Sequence, residues 1–114
     1  MYLIIKFTKL ISRKNLYKII QQEIDYIKTQ KKNINVLNIG SGGDIESLIK
    51  KNENLKLMSM DISEKRKPDV VYDISKDDVK DKIKFKPDVV TIFEVLEHVK
   101  NPDKAVQNIY NILE

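Results

Sequence analysis

The chain has 114 residues, a length that fits one compact domain and excludes an enzyme of two large lobes. It contains no cysteine, which excludes disulfides and thiolate metal sites. Its hydrophobic content of 41% and charged content of 33% are ordinary for a soluble globular protein, and its net charge is +4. The positive charge is concentrated in residues 1–33. A solvated helix face explains it most simply, and because no nucleic-acid-binding motif accompanies it, we expect no nucleic-acid partner.

Residues 1–33 are predicted to be a basic N-terminal extension and helix ahead of a domain over 34–114. Residues 1–11 are apolar, but they are too short and too charged to span a bilayer and lack a secretory layout, so a cytoplasmic location is expected. The spacing of their apolar residues fits one face of a helix or one face of a strand. The segment is expected either to pack on the domain as a flap or to contact a membrane surface. Ser12 is expected to cap a helix to about Gln30, with an apolar face of Leu16, Ile20, Ile24 and Ile27.

From residue 34 onward, apolar runs alternate with helical patterns. Strands are predicted over 34–39, 55–60, 68–72 and 87–93. A short helix follows the first strand, residues 77–84 are weakly helical, and Asn101 with Pro102 begins a last helix. The apolar face expected for that last helix is Val106, Ile109, Tyr110 and Leu113.

This alternation predicts an α/β fold, a Rossmann-like parallel sheet with flanking helices. Ligands of such sheets bind beyond the carboxyl ends of the strands. Polar or glycine residues lie at the carboxyl end of each predicted strand. They are Asn38 with Gly40, Asp61, Asp73 and Glu94.

Asp61 lies 21 residues beyond Gly40, close to the offset at which an acid binds ribose hydroxyls in dinucleotide folds. The glycine pattern itself departs from the dinucleotide fingerprint, because its third glycine would fall at Ile45. We therefore expect a ligand with a nucleoside but without phosphates, and a dehydrogenase is disfavoured.

With these residues in place, the sequence from Ile34 onward resembles the class I S-adenosylmethionine-dependent methyltransferases, especially those of the type-11 kind. The family's acid-x-Gly-x-Gly-x-Gly motif is read here as Asn38-x-Gly40-x-Gly42-x-Asp44. Asp61 and Asp73 stand where the family has its next two acids, and residues 87–102 look very like its fourth strand and following loop. The resemblance implies a strand order of 3-2-1-4.

The resemblance also implies roles for individual residues. The glycine turn would pass under the methionine part of the cofactor S-adenosylmethionine, and Asp61 would hold the ribose. Asp73 and the backbone of Ile74 would recognise the adenine, and Phe93 with Glu94 would face the sulfonium. The implied cofactor-binding set is Asn38, Gly40, Ser41, Gly42, Asp61, Ile62, Asp73, Ile74, Phe93 and Glu94.

The sequence departs from the family pattern in three ways. Asn38 replaces an acid, and Asp44 replaces a glycine and is expected to cap the following helix. The sequence ends at Glu114, where the family continues with a Pro-Gly-Gly turn and three more strands, so the C-terminal half of the fold is expected to be missing. The fourth strand would then be an exposed edge.

Glu94-Val-Leu-Glu97-His98 places two carboxylates and the chain's single histidine at i, i+3 and i+4, one face of a helix. The pattern resembles the metal site of small-RNA 2′-O-methyltransferases, so a divalent cation is one interpretation. The preferred interpretation assigns no metal, with Glu94 and His98 as catalytic residues and His98 as a general base.

The predicted function is methyl transfer to a hydroxyl of a small molecule, a lipid or a glycan. The alternative is a truncated, non-catalytic remnant, or a cofactor-binding half that needs a partner chain to complete its sheet.

Overall fold

The computed structural model of the chain describes residues 2–6, 13–93 and 95–114. Strands and helices alternate along this part of the chain. Its strands are β1 (Tyr2–Lys6), β2 (Ile34–Ile39), β3 (Leu55–Asp61), β4 (Val70–Val71) and β5 (Val89–Phe93). Its α-helices are α1 (Arg13–Gln30), α2 (Gly43–Lys50) and α3 (Pro102–Leu113), and short 3₁₀ turns lie at Glu64–Arg66, Val79–Lys82 and Leu96–His98.

The strands form a parallel sheet in the order β1-β5-β2-β3-β4. The four strands predicted from the sequence are β2, β3, β4 and β5, and their order in the sheet is the predicted 3-2-1-4. Helices cover both faces, as expected for parallel strands joined by crossovers. The predicted Rossmann-like α/β fold is confirmed.

One prediction about the sheet is wrong, because β5 is not an exposed edge. All five residues of β1 pair with β5 in parallel, in register from Tyr2 with Val89 to Lys6 with Phe93. Of the two conformations predicted for the N-terminal segment, the structure shows the strand over Tyr2–Lys6. This strand pairs with backbone N–H and C=O groups of β5 that would otherwise have no partner in the sheet. Residues 7–12, including the predicted cap Ser12, lie outside the described residues.

The sheet's two faces bury two apolar clusters, and β2 contributes to both because its side chains alternate. Ile34 and Val36 face α1 and α2, while Leu37 and Ile39 face α3. The α1 side chains in this core are the predicted ones. They are Leu16, Ile20, Ile24 and Ile27.

Helix α3 begins as predicted, because the Asn101 side chain accepts a hydrogen bond from the backbone N–H of Lys104 at 3.1 Å and Pro102 lies in the first turn. Its buried face is rotated from the predicted one. Tyr110 is 57% exposed, and Ala105, Asn108, Ile109, Ile112 and Leu113 are buried.

The third predicted strand is shorter than expected, since β4 has two residues. The Asp69 carboxylate accepts the hydrogen bond of the Ser59 N–H at 2.9 Å, so strand pairing starts only at Val70. The weakly helical prediction over 77–84 corresponds to the 3₁₀ turn Val79–Lys82. In the described part of the chain, no helix has the length and apolar character needed to cross a membrane.

Candidate functional site

The glycine turn, residues 40–43, connects β2 to α2 at the carboxyl edge of the sheet. Since β2, β3, β4 and β5 are parallel, the segments that follow them meet at this edge. The structure therefore places the predicted site residues along one edge, with the exception of Glu94, which lies outside the described residues.

All three glycines of the turn have a positive φ, and the need for glycine is clearest at two of them. Gly40 has a φ of 93°, and a Cβ added there would lie 3.0 Å from Val95 Cγ2. Gly42 has a φ of 82° and a ψ of −174°, a conformation that is essentially restricted to glycine. The turn is thus fixed both by its own geometry and by the residue packed over it from the end of β5.

Asn38 is buried at the end of β2 and joins two strands to the turn. Its side-chain oxygen accepts a hydrogen bond from the Thr91 hydroxyl at 2.8 Å. Its side-chain nitrogen donates to the Gly40 carbonyl at 2.7 Å. Asn38 therefore fixes the start of the turn, and the strongest hydrogen bonds of its side chain are directed into the protein.

Glu46 is a site residue that the sequence analysis missed. It is buried in the first turns of α2, and its Oε2 accepts a hydrogen bond from the Gly42 N–H at 2.6 Å. The same oxygen lies 3.5 Å from the Asn38 side-chain nitrogen, and Oε1 lies 3.1 Å from Lys50 Nζ. The bond is similar to the back-bonding of a capping box, but the acid stands four residues after Gly42 and not the usual three, so the sequence pattern does not mark it.

Asp44, expected to cap α2, does not do so. The residue preceding the helix is Gly42, and Asp44 lies inside the first turn. Its carboxylate accepts a hydrogen bond from the Tyr17 hydroxyl of α1 at 3.1 Å. The charge still lies favourably near the positive end of the helix dipole, but the N–H of Gly42 is satisfied by Glu46.

Asp61 ends β3 and is tied to the glycine turn. Its Oδ2 accepts a hydrogen bond from the Ser41 N–H at 2.9 Å, and its Oδ1 accepts one from the Ser63 N–H at 2.8 Å. Arg66 Nε lies 3.9 Å from Oδ2, and the Ser41 hydroxyl donates to the Arg66 carbonyl at 3.2 Å. The carboxylate is thereby held at a fixed place between two loops of the edge.

Ile62 follows Asp61, and its side chain is 72% exposed. The side chain therefore presents apolar surface to solvent at this edge of the sheet. It is the predicted site residue with the most solvent-accessible apolar surface.

Asp73 and Ile74 follow β4. Asp73 Oδ1 accepts hydrogen bonds from the Ser75 hydroxyl at 2.7 Å and from the Ser75 N–H at 2.9 Å. The hydroxyl bond is the main cause that lowers the pKa of the Asp73 carboxyl from its ordinary value, so it is ionised at neutral pH. Ile74 as a whole residue is only 3% exposed, so this segment is tightly packed against the protein.

Asn108 of α3 is a second residue that the sequence analysis missed. Its side-chain nitrogen donates to the carbonyls of Ile74 at 2.8 Å and Lys76 at 2.9 Å. Because Asn108 is buried, these bonds anchor the Asp73–Ile74 segment to α3. An asparagine in the otherwise apolar stripe of a helix was the available signal.

The predicted helical face combined Glu94, Glu97 and His98, of which the structure describes the last two. Residues 96–98 form a 3₁₀ turn, in which Glu97 and His98 are exposed. Phe93 is half-buried against the α1 side of the sheet. Within residues 2–6, 13–93 and 95–114, no group of three or more acidic or histidine side chains could hold a metal ion. Glu94 is not among those residues, so the metal hypothesis stays untested.

A model of the family described as "Methyltransferase domain" matches residues 12–114 of the chain. The matched range takes in every element from α1 to α3, including the glycine turn and the loops after β3, β4 and β5. Comparison with curated proteins and comparison with solved structures each found no match.

Proposed function

The chain belongs to the methyltransferase-domain family, and from that premise we propose that it binds S-adenosylmethionine and transfers the methyl group to a hydroxyl of a small molecule, a lipid or a glycan. The observation that supports this most is the position of Asp61. Its carboxylate lies at the end of β3 and accepts a hydrogen bond from Ser41 in the glycine turn at 2.9 Å.

The chemistry of the edge fits an S-adenosyl compound. A carboxylate has about four acceptor positions, so Asp61 can bind vicinal ribose hydroxyls while keeping its two backbone hydrogen bonds. The exposed Ile62 provides apolar contact for the adenine, and Asp73 with the Ile74 N–H provides polar contacts at the next loop. The roles of Asp61, Asp73 and Ile74 are those inferred from the family resemblance, and the adenine contact of Ile62 is added to them.

The edge disfavours a ligand with phosphates. A phosphate-binding turn offers unpaired backbone N–H groups to the anion. Here the N–H groups of Ser41 and Gly42 donate to the carboxylates of Asp61 and Glu46. Two negative charges at the turn repel a phosphate, which supports a nucleoside ligand over a dinucleotide.

When bound, S-adenosylmethionine supplies an activated methyl group, and the protein's task is to orient the acceptor. His98 is exposed in the 3₁₀ turn after β5, at the same edge as the glycine turn. We assign it the role of a base that takes the proton of the acceptor hydroxyl. Glu94 precedes this segment in the sequence, and we retain it as the second proposed catalytic residue.

Calorimetric titration with S-adenosylhomocysteine tests cofactor binding. The wild-type chain should bind in the micromolar range, and Asp61→Ala should reduce the affinity at least tenfold. Glu53→Ala is the matched control, because Glu53 is an exposed acid at the opposite end of β3 and should leave binding unchanged. Absence of binding by a folded wild-type chain would overturn the proposal.

Turnover is tested separately from binding. Transfer of labelled methyl groups from S-adenosylmethionine to hydroxyl-bearing lipids, glycans and small molecules should be detectable in the wild type. His98→Gln should reduce the transfer rate while S-adenosylhomocysteine affinity is unchanged. Binding without transfer to any of these acceptors would favour the alternative function, a non-catalytic domain or one that needs a partner chain.

A further inference from the structure

Glu46 is a buried carboxylate for which the sequence pattern assigned no role. It is 9% exposed, although acidic side chains are normally on the surface. It lies against the glycine turn, with Oε2 accepting from the Gly42 N–H at 2.6 Å and lying 3.5 Å from the Asn38 side-chain nitrogen. The acid that is absent from position 38 therefore has a counterpart eight residues later.

We propose that Glu46 supplies the negative charge at this end of the pocket and selects a ligand with a cationic amino-acid group. This inference rests on the proposed function, since S-adenosylmethionine and S-adenosylhomocysteine carry an α-ammonium group. Asn38 is neutral, and its side chain is bonded to Thr91 and Gly40. With Asp61 assigned to the ribose, Glu46 of α2 is the remaining carboxylate bonded to the backbone of the turn.

The position of Glu46 relative to Asp61 supports this assignment. The two carboxylates accept from consecutive residues of the turn, Asp61 from Ser41 and Glu46 from Gly42. If a ligand placed its ribose at Asp61 and ran along the turn, its amino-acid end would therefore reach the side of Glu46. An ammonium group placed there would form a charge-assisted hydrogen bond, which is stronger than a neutral one.

Lys50 does not prevent this interaction. It lies 3.1 Å from Glu46 Oε1, but its side chain is 62% exposed. Ion pairs of an exposed lysine are weak because water and salt screen them. A ligand ammonium can take the place of Lys50, and the lysine can move into solvent.

The competing explanation is that Glu46 only caps α2 by accepting from Gly42. The two explanations differ in one measurable ratio, the dissociation constant of S-adenosyl-4-thiobutyrate divided by that of S-adenosylhomocysteine. The first compound lacks only the amino group of the second. A capping role changes the affinity of both compounds equally and leaves the ratio constant.

The experiment measures this ratio by calorimetry for the full chain and for four variants of it. We expect a ratio above about 10 in the wild type, from one charge-assisted hydrogen bond, and a fall to near unity in Glu46→Gln. The double variant Asn38→Asp/Glu46→Gln returns an acid to the strand end and should recover most of the ratio. Glu53→Gln, an exposed acid away from the turn, should match the wild type.

Lys50→Ala tests the same inference if Glu46→Gln does not fold, because Lys50 is a surface residue whose replacement should not unfold the chain. Removing the lysine frees Glu46 for the ligand, so the ratio should rise about two- to threefold, the range expected for an exposed ion pair. A constant ratio in Glu46→Gln, or in Lys50→Ala where Glu46→Gln is unfolded, would overturn the inference while leaving cofactor binding intact. Absence of S-adenosylhomocysteine binding in the wild type would overturn both.

Discussion

Val95 packs so closely over Gly40 that a side chain at this position would have to displace it. A Cβ at Gly40 would lie 3.0 Å from Val95 Cγ2, and the φ of Gly40 is 93°. We predict that Gly40→Ala lowers the free energy of unfolding by more than the roughly 1–3 kcal/mol expected from backbone strain alone. Denaturant unfolding of the purified variant measures the loss.

Gly43→Ala separates the effect of backbone strain from the effect of a close contact with Val95. Gly43 has a φ of 82°, but a Cβ there meets no atom within 4 Å. The loss in Gly43→Ala should therefore be smaller than in Gly40→Ala. In a double-mutant cycle, Val95→Ala should recover part of the Gly40→Ala loss. Additive effects of the two substitutions would show that Val95 does not press on the turn.

Asn108 stabilises the loop that follows β4. Asn108→Ala removes hydrogen bonds to the carbonyls of Ile74 and Lys76. Leaving these groups unpaired should cost about 1–3 kcal/mol of unfolding free energy. Asn111→Ala, at an exposed asparagine of the same helix, should cost less than about 0.5 kcal/mol. Equal losses in the two variants, measured by urea unfolding, would refute the anchoring role.

Because of Asp88, the free energy of unfolding should change with pH in the acid range. Burial alone raises the pKa of its carboxyl, but the hydrogen bond from the Asn35 N–H at 2.8 Å and the ion pair with Lys31 at 2.7 Å outweigh burial. The pKa in the folded state is therefore below the ordinary value of 3.8. Asp88 stabilises the fold above that pH, and the contribution is lost as pH falls through the lowered pKa.

Asp88→Asn should consequently be less stable than the wild type at pH 7, and the difference should shrink at pH 3. Unfolding by denaturant at the two pH values provides the measurement. Glu53→Gln, at an exposed acid, is the control for a general effect of removing a negative charge. A difference of the same size at both pH values would contradict the prediction.

Strand β1 protects the edge of β5. Deleting residues 2–6 removes the strand that pairs with Val89–Phe93 and exposes an apolar edge. We expect association that increases with concentration, relative to the full chain, in light scattering coupled to size exclusion. Tyr2→Ala keeps the backbone pairing and removes the packing of one side chain against Tyr26 and the apolar cluster on the α1 side, so it should remain as unassociated as the wild type. A deletion variant that does not associate would contradict this role.

The main architecture could be predicted from the sequence because local patterns determine it. Near-continuous apolar runs define β2 and β5, and Asn101 with Pro102 defines the start of α3. The pairing of β1 was not decided by local pattern, since residues 1–11 fit a helix or a strand. Its strand conformation depends on the partner β5, which is more than 80 residues away in sequence.

The site could be predicted only in part. Asp61 and Asp73 follow strands, and parallel topology alone brings such residues to one edge. Glu46 and Asn108 were missed because their roles depend on tertiary contacts. Glu46 reaches the turn only because Gly42 adopts a glycine conformation that directs α2 back along β2. Asn108 reaches Ile74 only because α3 packs beside the loop after β4.

If an S-adenosyl compound binds at the carboxyl edge of the sheet, the backbone amides of that edge must respond to it. The most direct test is to follow the backbone amide signals of the ¹⁵N-labelled chain by NMR during titration with S-adenosylhomocysteine. We expect the largest shifts at Ser41, Gly42, Ile62 and Ile74, and none at Asn54 or Phe85, which lie toward the opposite ends of the strands. Shifts concentrated at Asn54 and Phe85, or no shifts at all, would contradict it.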